Sequence, residues 1–289
     1  SILNRAFYGI KLLTTKSGEF TNGIVGFLNI LEKVKDETEP DAVAIAFDMK
    51  APTFRHKAYA GYKAQRKGMP PELAAQMPVL KELLGDLGYK IVTCEGWEAD
   101  DILGTFAETC ENTDNTCMIA TGDRDSLQLV SPKTTVRLAT TKFGQSAVTL
   151  CDEAYIKETY GVEPKQLIDI KAIQGDTSDN IPGVAGIGEK GAGELIRKFG
   201  SLQYIYDNLD ELDIKPGMRT KLINSKDNAF LSYDLGTIRR NAPIDTELAH
   251  YIPGEGDPAA AAQIMTRLEL FKLMERLHLT PGAAPTANS

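Results

Sequence analysis

The sequence predicts an α/β fold: a mostly parallel central sheet with helices on both faces, followed by an all-helical region. Three observations predict it. Short continuous apolar runs at 42–47, 89–94 and 116–121 read as strands buried on both faces. Helical periodicities separate these runs, the alternation that a parallel sheet with crossover connections requires. From about residue 151 the strand-like runs stop and only helical patterns follow.

Each element has its own signal. Ile24, Phe27, Leu28, Ile30, Leu31 and Val34 recur at helical spacing over 24–35. Leu73, Met77, Leu80, Leu83 and Leu84 place a helix over 72–87, and Ile102, Leu103 and Phe106 one over 98–110. Segments 134–140 and 146–150 read as edge strands. Helices follow at 152–160, 164–174, 189–199, 201–209, 217–224 and 226–236, with one further amphipathic helix over 259–277. The expected division is an α/β region over 1–150, a helical region over 151–278 and a tail over 279–289. That tail is Pro/Ala-rich, a linker composition that suggests a further domain beyond it. The chain opens at Ser1, without Met, directly into Ile2-Leu3-Asn4-Arg5, as if an element preceded it.

At 289 residues the chain has room for about two domains of ~150 residues and needs no metal or disulfide to fold. With 42% hydrophobic and 25% charged residues it is neither collagenous, coiled-coil nor wholly disordered. No apolar run approaches the ~18 residues of a membrane span, and no signal-peptide pattern opens the chain. Cys94, Cys110, Cys117 and Cys151 form no Cys-x-x-Cys pair and read as reduced thiols of a cytosolic protein. His56, His250 and His278 are too scattered for a zinc site, so any metal would be held by carboxylates, as Mg²⁺ or Mn²⁺ is. Forty acidic against 32 basic side chains give a net charge of −8, which on average argues against a nucleic-acid partner.

The average hides a pattern. Asp48 follows the first strand run, Glu98, Asp100 and Asp101 follow the second, and Asp123 and Asp125 follow the third. Carboxyl ends of parallel strands line one edge, where ligands bind, so six carboxylates converge on one crevice. Asp176 and Asp179, in Gln174-Gly-Asp-Thr-Ser-Asp-Asn180, are two further candidates. Acidic residues also cap helix N-termini, which accounts for Glu98, Asp176 and one or two others but not for eight. So many carboxylates would repel and protonate unless divalent cations neutralised them. Two such ions can activate a water and steady the leaving oxygen of a phosphodiester.

Residues 48–68 carry six basic side chains, Lys50, Arg55, Lys57, Lys63, Arg66 and Lys67, against one acid, for a local charge of +5. Phe54, Tyr59 and Tyr62 are interleaved, a mixture that suits phosphates and stacked bases. Arg55, Tyr59, Tyr62, Lys63 and Arg66 have helix-compatible spacing and are expected to share a face; a solvated surface helix is the plainer reading. Gly183, Gly186 and Gly188 bracket a tight turn before a helix, whose free N–H groups suit a phosphate. A plain helix-linking turn is the alternative.

Together these segments resemble the 5′-nuclease (5′-3′ exonuclease) domains of bacterial DNA polymerase I, in the wider flap endonuclease family. The resemblance runs from Ser1 to about His278. It rests on Phe47-Asp-Met-Lys-Ala-Pro-Thr-Phe-Arg-His56, Tyr62-Lys-Ala-Gln-Arg66, Glu98-Ala-Asp-Asp101, Thr121-Gly-Asp-Arg-Asp125, Gly175-Asp-Thr-Ser-Asp-Asn180 and the Pro-Gly-Val-x-Gly-Ile-Gly-Glu-Lys hairpin at 182–190. It implies that Asp48, Glu98, Asp100 and Asp101 surround one metal ion, while Asp123, Asp125, Asp176 and Asp179 hold or order a second. It implies that Lys63 and Arg66 contact the scissile phosphate at a helical arch over about 50–87, that Tyr62 and Arg55 guide the 5′ strand, and that Arg5 contacts phosphate. The hairpin, with Gly183, Gly186, Gly188 and Lys190, resembles a helix-hairpin-helix element (about 175–200) that grips duplex DNA, often with a bound K⁺. The implied protein is a bacterial, cytoplasmic, nucleoid-associated monomer that removes 5′ flaps and RNA primers in replication and repair, with a polymerase domain C-terminal to it. Family members begin with a strand ending in Asp-Gly, whose Asp is a metal ligand. Ser1 falls after that position, so a fragment of weakened activity, binding DNA structures without cleaving them, is the other expectation. Small ribonucleases with clustered carboxylates lack the basic arch and the hairpin. A phosphatase reading of Asp123-Arg-Asp125 lacks the Thr two residues on.

Overall fold

A computed structural model describes residues 2–281. The chain runs α1 (Ile2–Gly9), α2 (Asn22–Thr38), β1 (Ala44–Ala46), α3 (Phe54–Ala58), α4 (Pro71–Asp86), β2 (Lys90–Val92), α5 (Ala99–Asn112) and β3 (Cys117–Thr121). After a 3₁₀ turn over Arg124–Leu129 come β4 (Thr134–Lys142), β5 (Gln145–Cys151), α6 (Glu153–Tyr160), α7 (Gln166–Gln174) and α8 (Glu189–Phe199). The remaining helices are α9 (Leu202–Asp207), α10 (Pro216–Asn224), α11 (Lys226–Gly236), α12 (Pro258–Arg267) and α13 (Phe271–Arg276). The Pro/Ala-rich tail lies, from 282 on, outside the described residues.

The apolar runs do become strands, and the α/β class holds. β1 pairs with β2 in parallel, Ala44 opposite Lys90 and Ala46 opposite Val92. β3 pairs with β4 in parallel, from Cys117–Thr134 to Thr121–Leu138, and β5 returns antiparallel. Phe143 and Gly144 turn this hairpin with φ of 51° and 75°, the double left-handed conformation that matches strand twist. Among the described residues β1 and β3 share no ladder, so the sheet lies in a two-stranded and a three-stranded piece. Asp48, the 98–101 acids and Asp123 with Asp125 still follow the carboxyl ends of β1, β2 and β3.

Several expectations change. The basic stretch does not form one helix: α3 ends at Ala58, and Tyr59 to Arg66 run through turns in which Lys63 has φ 53°. The Tyr59 ring lies over Gly61, where any Cβ would sit 2.6 Å from the ring carbon Cζ. Helix α4 follows from a Pro at its first turn and buries Leu73, Leu80, Leu83 and Leu84 in the core, so the 50–87 segment is a short helix, a turn and a core helix. The 259–277 helix is two helices, broken where Glu269 takes φ 60°.

Helices α12 and α13 fold back to the first half. Ala261, Met265, Leu273 and Met274 are buried with Leu3, Phe7, Ile24, Leu28 and Leu83 of α1, α2 and α4. The 151–278 region is therefore not one packing unit. A second core joins Ile119, Val136 and Leu138 of β3 and β4 to Ile156, Ile173, Ile196 and Ile205 of the helical half. A small third one, Val92, Cys94, Ile102, Phe106 and Tyr251, holds α5 against β2.

Candidate active site

The predicted carboxylates meet where β1, β2 and β3 end. Glu98 is the N-cap of α5, joined with Asp101 in a reciprocal capping box. Asp48, after β1, accepts the N–H of Ala99 at 2.7 Å, tying the first strand end to the same helix terminus. Asp123 caps the 3₁₀ turn by accepting the N–H of Asp125 at 2.9 Å. Asp176 accepts from the Ser178 N–H and hydroxyl (2.9 and 2.6 Å), which curls the 176–181 loop back toward the cleft.

A small cleft of about 30 Å³ is lined by Tyr62, Lys63, Glu98, Asp100, Asp123, Asp125, Lys171 and Asp179, among others. Carboxylate oxygens of Asp125, Asp176 and Asp179 lie within 4.8 Å of one another. That span is what a single hard cation with oxygen bonds of ~2.1–2.5 Å bridges, and the donor set is all oxygen, as Mg²⁺, Mn²⁺ or Ca²⁺ requires. Asp100 is held well above the usual carboxylate range by burial, with the charges of Asp123, Asp125, Glu98 and Asp48 adding to it. Asp125 is also raised by burial, which the neighbouring Lys171 only partly offsets. Burial also pushes Asp176 up, but Ser178 and Lys171 outweigh it and leave the carboxyl below its ordinary value.

Besides Arg55, three cations stand among these acids. Lys63 pairs with Glu98, and Arg66 with Asp179. Burial would lower the Lys63 ammonium, yet Glu98 outweighs it and the net shift is upward. The Lys63 N–H donates to the Asp179 carbonyl (2.8 Å) and Asn180 Nδ2 to the Gly61 carbonyl (2.8 Å), so the 59–66 turn is docked on the 176–181 loop. The third cation is Lys171, which the sequence reading missed. Its Nζ lies 2.6 Å from both oxygens of Asp125 and 3.0 Å from Asp176. A lysine among Ile170, Ala172 and Ile173, five residues before Asp176, is the signal that marks it.

Some predicted residues serve other ends. Arg55 is 3% exposed; its guanidinium donates to both oxygens of Asp101 (2.8 Å each), to Glu98 (2.5 Å) and to the carbonyls of Leu235 and Thr237. Asp101 is 0% exposed and also accepts the N–H groups of Glu98 and Arg239. Arg55 and Asp101 thus form a buried, bidentate ion pair that ties α3 to α5. Tyr62 is 4% exposed and donates its hydroxyl to Glu98 (3.0 and 2.9 Å), so it positions that acid and offers no ring face for stacking. Gly183 spends its N–H on Ser232 Oγ (2.8 Å), and a Cβ there would lie 2.5 Å from the Gly175 nitrogen. It is a close-approach glycine, not a phosphate cradle. Gly186, Gly188 and Lys190 are exposed at the start of α8, as the hairpin reading requires. Arg5, on α1, donates to the Gly122 carbonyl at 3.2 Å and so stands beside Asp123.

This geometry sits in a known lineage. The family of 5′-3′ exonuclease N-terminal resolvase-like domains matches residues 1–161, and that of 5′-3′ exonuclease C-terminal SAM folds matches residues 162–259. DNA polymerase I of Caldicellulosiruptor bescii is 41% identical over 280 residues, 97% of this chain and 33% of that protein. The thermostable DNA polymerase I of Thermus aquaticus is 38% identical over 275 residues, 95% of this chain and 32% of that protein. In structure, the bacteriophage T5 D15 protein co-crystallised with metal ions superposes with a TM-score of 0.61 at 22% identity, covering 88% of this chain and 89% of that one. The catalytic core of Rad2 in complex with DNA substrate gives 0.62 at 17%, covering 95% and 89%. The fold is thus that of the flap nucleases, a resolvase-like α/β part with a helical SAM-type part. More narrowly, the chain belongs to the 5′-3′ exonuclease family. It spans about a third of the length of the DNA polymerase I relatives it matches.

Proposed function

We propose that the protein is a structure-specific 5′ nuclease, a 5′-3′ exonuclease and flap endonuclease that hydrolyses DNA phosphodiesters with two divalent ions, Mg²⁺ or Mn²⁺. The observation that carries this reading is the convergence of Asp100, Asp123, Asp125 and Asp179 on one cleft whose rim holds Lys63 and Arg66. Asp48, Glu98, Asp100 and Asp123 would hold one ion, and Asp125, Asp176 and Asp179 the other. The ions would supply charge neutralisation and a polarised water for in-line attack on phosphorus.

The chain's own side chains do the rest. Arg66, its side chain 53% exposed, reaches solvent at the cleft mouth and is placed to take a phosphate oxygen in exchange for Asp179. Lys63 would stabilise the charge that develops on the phosphoryl oxygens. Tyr62 and Arg55 hold Glu98 from behind, and Arg5 lies beside Asp123, within reach of a neighbouring phosphate. The 182–190 turn, with Gly186, Gly188 and Lys190 at the surface, would grip the duplex backbone without reading sequence, and is where a K⁺ would bind. The substrates that follow are DNA with a 5′ flap or a single-strand/duplex junction, and RNA primers. A polymerase domain beyond the C-terminus, a monomeric state and a place in the bacterial cytoplasm near the nucleoid complete the reading. Asp123→Asn is expected to reduce cleavage of a 5′-flap duplex in Mg²⁺ by at least about 10²-fold while leaving binding of that duplex in Ca²⁺ unchanged. Unchanged turnover would refute the assignment.

A further inference from the structure

Lys171 is placed by two elements at once. Helix α7 is anchored in the core through Ile170, Ala172 and Ile173, which are buried. The aliphatic stem passes over α11 at Gly236, where an added Cβ would lie 3.5 Å from the Lys171 Cδ. The ammonium is thereby delivered between Asp125, both of whose oxygens it contacts at 2.6 Å, and Asp176 at 3.0 Å. Those two acids belong to the trio with Asp179 whose oxygens lie within 4.8 Å of one another. Among the described residues no cation contacts Asp100 or Asp123 in an ion pair. The two halves of the acid cleft therefore differ: in the trio one ammonium bridges two of the acids and Arg66 meets the third, whereas on the other side Arg55 and Lys63 both fall on Glu98 and no ion pair reaches Asp100 or Asp123.

We propose that Lys171 is a resident cation of the Asp125–Asp176–Asp179 cluster that keeps its affinity for a divalent ion below that of the Asp100–Asp123 side. The inference rests on the metal reading given above. An ion entering the trio must take oxygens that the ammonium already holds, and it then stands within a few ångströms of a like charge. Weak binding at one position couples that ion to whatever brings negative charge with it, and a nucleic-acid phosphate does. Lys171 is thus a positioning residue that sets the order of occupancy through Asp125 and Asp176.

The test is a calorimetric Mn²⁺ titration of the protein, its Lys171→Met variant and its Lys171→Arg variant, without nucleic acid. Methionine retains a stem of similar length over Gly236, and the thermal midpoint of each variant is recorded alongside. The expected result is two unequal affinities in the wild type, the weaker tightening about tenfold or more in Lys171→Met, from loss of the like charge, while the stronger stays put. Lys171→Arg is expected to keep the wild-type inequality. A residue needed only to pack α7 would give weaker Mn²⁺ binding in both variants or none altered. Unchanged or weakened binding in Lys171→Met, with Mn²⁺ still bound by the wild type, overturns the resident-cation role and leaves the metal reading standing. Absence of Mn²⁺ binding by the wild type overturns both.

Discussion

At the scale of single residues, the cleft is a balance of charges taken out of water. Arg55 and Asp101 are both buried and each is the other's chief partner. Breaking such a pair leaves an uncompensated charge, so Arg55→Met is expected to cost about 3–5 kcal/mol, read as a lower midpoint in urea unfolding. Asp100 behaves in the opposite sense. Its folded-state carboxyl titrates above its unfolded value because burial and four neighbouring acids disfavour the anion. Below the unfolded pKa it is protonated in both states and contributes nothing; as pH rises past about 4, the folded state alone retains the proton and stability falls. In chelator, Asp100→Asn is therefore expected to raise the thermal midpoint at pH 7 and to lose that gain near pH 3.5. A gain that persists at low pH would contradict the cause. Six of the acids were legible because they follow strand runs. Their partners were not: nothing in the order of residues says that Arg55 turns inward to Asp101 while Arg66, eleven residues on, turns to Asp179.

At the scale of elements, the site hangs on two short segments that hold each other. The 59–66 turn and the 176–181 loop exchange the Lys63-to-Asp179 and Asn180-to-Gly61 hydrogen bonds. The loop is closed by Gly175 and Gly183, with φ of 73° and 64°, in van der Waals contact with each other. Gly183→Ala adds a methyl in a left-handed position against backbone. It is expected to cost on the order of 2 kcal/mol or more and, by moving Asp176 and Asp179, to weaken Mn²⁺ binding at their cluster before the protein melts. Helices α8 and α11 were legible to the residue, Glu189–Phe199 and Lys226–Gly236, because Gly and polar residues bound them cleanly. The basic helix was not. Its periodicity is real, but Gly61 and the docking of Lys63 onto Asp179 impose turns that a count of spacings does not contain.

At the scale of the whole molecule, the net charge of −8 resolves into an acid cleft beside basic side chains. The alternation of strand and helix carried the fold class, and the switch to helices at 151 marked the second half. What the pattern did not carry is the return of α12 and α13 onto α1, α2 and α4. Amphipathicity shows that a helix has an apolar face, not which distant face it covers. That return ties both chain ends to one core, so Met265→Ala, in a fully buried position there, is expected to destabilise the whole α/β part by about 2–5 kcal/mol. A single cooperative unfolding transition would report it.

The most direct test of the account is cleavage of a duplex bearing a labelled 5′ flap, in Mg²⁺ against the same duplex in Ca²⁺ and in chelator. Release of a 5′ fragment is expected in Mg²⁺ only, with the duplex bound but intact in Ca²⁺. Cleavage undiminished in chelator, or tight binding in Mg²⁺ with no product from the full-length protein, would contradict it.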